Sequence, residues 1–372
     1  MPRSVVDVKL LLSSLIALMF LAAPAYADIN IAAVGPITGQ DASTGEQMQR
    51  GAEAAVDVIN KAGGVLGQKL VLSIKDDVCD PKQSVAIANE LSGAGIFGVI
   101  GPMCSGSAIP ASKIYNEEGI LMITASATST ALTDQGFDNV LRTCGRDDQQ
   151  GIVVADYIAK HFATKNIAIV QDKTAYGQGL AEFVRDNLGK RNIHEKLYES
   201  VSRGERDYSS LLSKLKENNI DIVFYGGYHT EAGLIVRQMR DQGMKTVFIS
   251  DDDTMTKEFW SITGDAGEGA LMSFNSDPRT KPEAAEAVKR IRATGFDPEG
   301  ITLYSYAAVQ VMAQAITRAG TTQLPKVVAA LHQGSYQTVI GDISFDAKGD
   351  VTKPDYVIYR WSKGEYAPLE GQ

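Results

Sequence analysis

Apolar residues along this chain occur in two alternating modes: short unbroken runs, and stretches where they recur three and four apart. The runs predict buried strands, the wider spacing amphipathic helices. Residues 29–34 read as a first strand ending in Gly35-Pro36-Ile37-Thr38-Gly39. A helix over about 45–61 then places Ala52, Ala55, Val56 and Ile59 on one face and stops at Gly63-Gly64. Strands follow at 70–74, 97–100 and 120–123, with helices at 82–93 and about 105–116 between them. A short strand at 140–143 leads into the polar cluster Arg146-Asp147-Asp148-Gln149-Gln150, which precedes a helix over 152–162. The pattern then restarts, with strands at 167–171, 196–200, 220–225, 247–250 and 271–274 and helices at 177–188, 208–217 and 231–242. A helical tail (281–294, 303–319, 326–332) and a last strand at 356–361 complete the chain. Two successive runs of alternating strand and helix predict two similar lobes, each with a parallel sheet and right-handed crossovers. No low-complexity linker separates them, so several short crossovers are expected in place of one tether.

The stretch from Phe97 to Thr133 organises this pattern. Its two strands each run into small hydroxyl residues, Cys104-Ser105-Gly106-Ser107 after one and Ala125-Ser126-Ala127-Thr128-Ser129-Thr130 after the other. Ligands of open α/β sheets bind at such strand ends, and a helix N-terminus there suits a small anion. Neither loop offers a base beside its hydroxyls, so the crevice is suited to holding a carboxylate and not to attacking a substrate.

Composition narrows the setting. Arg3 and Lys9, an apolar run from Leu10 to Ala23 and then Ala25-Tyr26-Ala27 read as a signal peptide, residues 1–27, exporting the protein. Roughly 345 residues remain, more than one compact domain usually holds. The formal net charge of −9 comes with mixed signs throughout and no basic stripe, which argues against nucleic acid as a partner. Enzymatic patterns are weak. Gly177-Gln178-Gly179-Leu180-Ala181-Glu182 lacks the third glycine of a dinucleotide fingerprint. His161, His194, His229 and His332 show no zinc spacing, and no Gly-x-Ser-x-Gly elbow occurs. No metal or cofactor is expected.

Several ordered blocks make the chain similar to a known family. They are Asp77-Val78-Cys79-Asp80-Pro81-Lys82-Gln83, Val99-Ile100-Gly101 through Ala111-Ser112, Gly119 to Thr124, Asp172-Lys173 through Ala181, and Phe224-Tyr225-Gly226-Gly227-Tyr228-His229. The chain resembles the periplasmic leucine/isoleucine/valine-binding proteins of ABC importers over nearly all its length after residue 27. The resemblance implies an α/β protein of two Rossmann-like lobes, the type I periplasmic binding protein fold, joined by a multi-crossover hinge. The lobes are expected to comprise 28–146 with 276–354, and 147–275 with 355–372. It also implies a periplasmic protein, a monomer, that binds a neutral, branched-chain or related amino acid and delivers it to a membrane permease. An amino-acid or amide sensor without a transport role is the alternative, and an extracellular hydrolase or lyase a more distant one.

The family's ligand contacts fall on Ser105, Ser126 and Thr128 from the first lobe and on Tyr176, Tyr228 and Asp252 from the second. Ser105 would take the α-carboxylate with the help of a helix dipole; a plain helix cap is the competing role. Asp252, within Asp251-Asp252-Asp253, would neutralise the ammonium, although solvated loop charge is the default reading of three adjacent acids. The two tyrosines would cover that cation. Two departures bear on specificity: Thr44 stands where leucine-binding members carry an aromatic residue, and Asp252 where they carry Glu. Among three cysteines, Cys79 and Cys104 follow what read as adjacent strand ends and are expected to pair. Closing a loop of that length stabilises by about 3.5 kcal/mol in the chain-entropy picture. Cys144 is left as a buried thiol.

Overall fold

The structure, a computed structural model, describes residues 27–369. The expected signal peptide, apart from Ala27, and residues 370–372 of the expected second lobe therefore lie outside the described residues.

The first sheet contains β1 (Ile29–Gly35), β2 (Leu70–Asp76), β3 (Gly98–Ile100), β4 (Leu121–Thr124) and β5 (Val140–Arg142), in the order β2-β1-β3-β4-β5. All neighbours are parallel. Strands covered by helices on both faces need apolar residues on both, which is why β3, β4 and β5 are buried at every position. Helices α1 (Ala42–Lys61), α2 (Pro81–Ser92), α3 (Ser105–Glu117) and the single turn α4 (Thr130–Thr133) connect them.

The second run begins with α5 (Asp147–Phe162), then β6 (Ile167–Gln171), α6 (Ala175–Gly189), β7 (Leu197–Ser200), α7 (Ser209–Glu217) and β8 (Ile222–Gly226). It continues through α8 (His229–Asp241), β9 (Val247–Ser250), α9 (Lys257–Thr263) and β10 (Leu271–Asn275). The tail supplies α10 (Ala285–Arg292), α11 (Thr302–Ala319), α12 (Leu324–Gln333), the hairpin β11 (Ser335–Thr338) and β12 (Gly341–Ser344), then β13 (Tyr356–Ser362) and β14 (Glu365–Pro368). The second sheet runs β14-β13-β10-β9-β8-β6-β7. It is parallel from β7 to β10, and β13 and β14 join antiparallel at its other edge. The tail is shared between the sheets: α11 packs on α1, and Gly51 of α1 leaves room for the Thr302 carbonyl, which a side chain there would strike.

Both sheets are wound alike. The chain leaves β1 for β2 and then returns across β1 to β3; it leaves β6 for β7 and returns across β6 to β8. Each sheet thus reverses direction beside its first strand, and the crevice at such a reversal opens at the carboxyl ends. The chain crosses between the sheets three times, after β5, after β10 and before β13. Side chains tie these crossings. Arg142 Nε and Arg146 Nη1 each lie 2.7 Å from the Asp350 carboxylate. The Tyr359 hydroxyl donates to the Asn275 carbonyl (3.0 Å) and accepts from the Asp277 N–H (2.8 Å). No helix among the described residues is long and apolar enough to cross a membrane.

Several details differ from the sequence expectation, the short helices α4 and α9 among them, which it did not include. Residues 147–150 are the first turn of α5 and not a cluster ahead of it. The expected helix over 281–294 begins only at Ala285, because Pro282 permits a 3-10 turn there and not a continuous helix. The β11–β12 hairpin and β14 were not anticipated. Finally, β2 and β3 are not adjacent, since β1 lies between them. Cys79 and Cys104 are bonded nonetheless, with their Cα atoms 5.5 Å apart, because the loop after β2 reaches past the end of β1.

Candidate ligand-binding site

The facing carboxyl ends of the two sheets enclose a narrow cavity. Thr44, Gln47, Met103, Ser105 and Ser126 line it from the first sheet's side. Tyr176, Tyr228, Asp252, Asp253, Met255 and Thr256 line it from the second, with Gly300 and Ile301 ahead of α11.

On the first side, the motif from Asp76 to Asp80 acts as scaffolding. Val78 and Cys79 both adopt left-handed backbone, at φ 45° and 57°, which L-residues seldom do without local support. Asp76 supplies it by accepting from the Val78 N–H (3.1 Å), and Asp77 by accepting from the Cys79 N–H (3.0 Å). Asp80 then caps α2 through the Gln83 N–H (2.8 Å). The disulfide carries this rigid loop to Cys104, the residue at the N-cap of α3. Ser105 is therefore the first helical residue and not the cap. Its Oγ accepts from the Ser129 N–H (3.2 Å), leaving the hydroxyl proton free to donate, and the positive end of the α3 dipole lies at the cavity wall. Thr124 shapes the next loop: its hydroxyl donates to the Pro102 carbonyl (2.8 Å) and accepts from the Ala127 N–H (3.1 Å), setting Ser126 half-buried at the cavity.

On the second side the three consecutive acids have three different tasks. Asp251 is fully buried and accepts from the Gly227 N–H (2.7 Å). Asp253 holds the buried His229, accepting from its N–H (2.8 Å) and lying 2.7 Å from its Nδ1. Burial alone would lower this imidazole, but the Asp253 charge and the bonds to Asp253 and Glu258 push it up to about 10. Asp253 also lines the cavity, with Oδ1 taking no hydrogen bond from the described residues, but its charge is committed to His229. Among the described residues the lining carboxylate without a cationic partner is that of Asp252. Its Oδ1 accepts from the Tyr176 hydroxyl (2.7 Å) and from Gln150 Nε2 (2.9 Å), while Oδ2 takes no hydrogen bond from the described residues. Burial pushes Asp252 up to about 6, partly opposed by the Tyr176 and Gln150 bonds. The Tyr176 and Tyr228 rings lie 5.4 Å apart. One face of Tyr228 is covered by the Arg203 guanidinium, 4.1 Å from its centroid.

The structure thus brings together Thr44, Ser105, Ser126, Tyr176, Tyr228 and Asp252, but Thr128 does not line the cavity. Thr128 is fully buried, its carbonyl accepts from the Asp147 N–H (3.1 Å), and its hydroxyl stands beside the Asp147 carboxyl. Asp147 is fully buried with neither oxygen hydrogen-bonded among the described residues, and burial pushes it up to about 8. Sequence reasoning missed Asp147 and Gln150, and a signal for them existed. Asp147, Gln150, Gly151 and Val154 follow the three–four spacing of a buried helix face, so two polar residues sit where α5 should be apolar. Gln47 was missed as well. Its Oε1 accepts from the Ile301 N–H (3.0 Å), which leaves its amide nitrogen as the donor end.

Paired lobes of this winding, with a polar cavity between their strand ends, describe a solute-binding clamshell. The chain belongs to the periplasmic binding protein family, whose model matches residues 28–365. Among curated relatives, Leu/Ile/Val-binding protein homolog 1 of Brucella melitensis is 50% identical over 341 residues, 91% of this chain and 92% of the relative. An amino acid binding protein of Pseudomonas aeruginosa is 45% identical over 355 residues, covering 94% and 95%. Of solved structures, the leucine binding protein LivK of Thermotoga maritima superimposes with a TM-score of 0.86 at 25% identity, over 92% of this chain and 97% of that one. The branched-chain amino acid transporter substrate binding protein LivJ of Streptococcus pneumoniae, in complex with isoleucine, gives 0.84 at 24% identity, over 91% and 97%.

Proposed function

We propose that this protein is a periplasmic solute-binding protein of an ABC importer that carries a neutral amino acid to a membrane permease. It works as a monomer, without turnover, metal or cofactor. Its lobes are residues 28–146 with 276–354 and residues 147–275 with 355–372. One observation carries the reading: Asp252 Oδ2 is open to a cavity whose opposite wall holds the Ser105 hydroxyl at the start of α3. An anion faces an anion-binding helix end, which complements the two charges of an amino-acid zwitterion. The names of the relatives, Leu/Ile/Val-binding and amino acid binding, support the same ligand class.

The wall around the ligand side chain mixes Met103, Met255 and Ile301 with Thr44, Gln47 and Thr256. A purely aliphatic side chain would strand the Thr44 hydroxyl beside its methyls, at a cost of about 1–3 kcal/mol. Thr44 in place of an aromatic ring and Asp252 in place of a longer acid both widen the site. We therefore expect broad recognition of neutral amino acids, polar and non-α ones included, with leucine less favoured than the relatives' names suggest. The test is competitive calorimetry with leucine, valine, alanine, proline, serine and a γ-amino acid. Asp252→Ala should lose more affinity than Thr44→Ala. Leucine ahead of the others by more than about a hundredfold, near 2.7 kcal/mol, would show that Thr44 and Asp252 do not set specificity.

A further inference from the structure

A second set of charged side chains bridges the two sheets at the rim of the cleft. Arg203, in the loop after β7, places Nη2 2.6 Å from Asp41 Oδ2 and Nη1 3.0 Å from Glu231 Oε2. Asp41 immediately precedes α1 on the first sheet, whereas Glu231 lies in the first turn of α8 on the second. Asp41 is only 3% exposed and Glu231 is fully buried, which sets this group apart from solvated surface pairs of little net effect. Glu231 Oε1 also accepts from the Gly204 N–H (2.9 Å). The Arg203 loop is thereby fixed to its own lobe wherever Asp41 stands. Close by, the Thr230 hydroxyl donates to the Gln40 carbonyl (3.3 Å), again from second sheet to first.

This group does not line the cavity, yet it touches the site through Tyr228, whose ring carries the guanidinium on one face while lining the cavity itself. The Asp41–Arg203 contact joins the two sides of the cleft and so exists only when they are together. An interaction made in one of two states shifts the balance toward that state by its whole free energy, whatever ligand is present. We propose that Arg203 is a positioning residue for ligand capture: held on the second lobe by Glu231, it orients the Tyr228 ring and engages Asp41 as the cleft shuts, slowing the escape of every ligand alike. This rests on the solute-binding reading above.

Asp41→Asn is the informative variant, because it keeps the side chain's shape and leaves Arg203 paired with Glu231. L-leucine, L-valine and L-alanine serve as probes, with affinities from calorimetry and dissociation rates from stopped-flow displacement. The variant should release each probe about tenfold faster, with association nearly unchanged and affinity lowered by the same factor for all three. Its melting temperature without ligand should match the wild type, while the ligand-induced rise shrinks. The wild type's dissociation should quicken with added salt more steeply than the variant's. Wild-type release rates in Asp41→Asn would overturn the proposal. So would a loss that differs between probes, which would make Asp41 a specificity contact, or an equal melting loss with and without ligand, which would make it structural. Should the wild type bind none of the three, the solute-binding reading fails separately. The rim contact is then judged from the small closed population of the ligand-free protein, the short component of spin-label distance distributions between the lobes, which must shrink in Asp41→Asn for the proposal to stand.

Discussion

In the proposed function Asp252 is the charge that meets the ligand's ammonium group, and burial makes its protonation a working variable. Burial pushes it up to about 6; an ammonium beside it favours the ionised form and must lower that value. Binding below pH 6 therefore releases a proton. Affinity should be flat above that pH as far as this group is concerned and weaken by up to tenfold per unit below it. Calorimetry of the wild type between pH 4.5 and 8, with Asp252→Asn as the reference, would show it; a flat wild-type profile would remove Asp252 from the ammonium site. The residues legible in the sequence were those just past strand ends, in loops or first helical turns, Ser105, Ser126, Tyr176, Tyr228 and Asp252, which the resemblance marked and the strand pattern located. Thr128 follows the same pattern but turns toward Asp147, because its backbone serves the first turn of α5. Asp147, Gln150 and Gln47 sit on helices, where a polar residue in a buried stripe looks like an interruption of the pattern until the facing partner is known.

The element that holds the first wall in place is the loop from Asp76 to Asp80 with its bond to Cys104. It fixes the residue next to Ser105, so breaking it should loosen both the fold and the Ser105 side of the cavity. Thiol counting on denatured, unreduced protein should find one thiol, that of Cys144, which is buried and pushed up to about 12 by burial. Cys79→Ser with Cys104→Ser should cost about 3.5 kcal/mol of stability in chemical denaturation and weaken amino-acid binding in calorimetry. Three titratable thiols, or a double variant as stable as the wild type, would contradict this. Most elements were legible because buried parallel strands are unbroken apolar runs and their helices keep the three–four spacing. Those that were not obey other rules. Lys363 and Gly364 both take left-handed backbone, at φ 53° and 81°, and turn β13 into β14; a two-residue turn of this kind is a hairpin signal that needs no apolar run. The β11–β12 hairpin around Val339-Ile340 is a local addition outside both main sheets, with too few residues to show a period.

At the scale of the molecule, the proposed ligand contacts are divided between two sheets, which requires the sheets to move together. Small-angle scattering should give a smaller radius of gyration with saturating amino acid than without, and an unchanged radius would argue against a clamshell. The three crossings that permit this motion also mean that neither sheet is finished by a contiguous stretch of chain. Helix α1 waits for α11, some 250 residues later in the sequence, and β10 waits for β13 to cover its edge. Loop closure over such distances is slow, so the emerging chain stays without a finished core until its last fifth has been made. A fragment ending at residue 300 should accordingly be digested by protease under conditions where the whole protein resists. If the protein is exported to the periplasm as proposed, late completion keeps the polypeptide narrow enough to be threaded through a membrane before it folds.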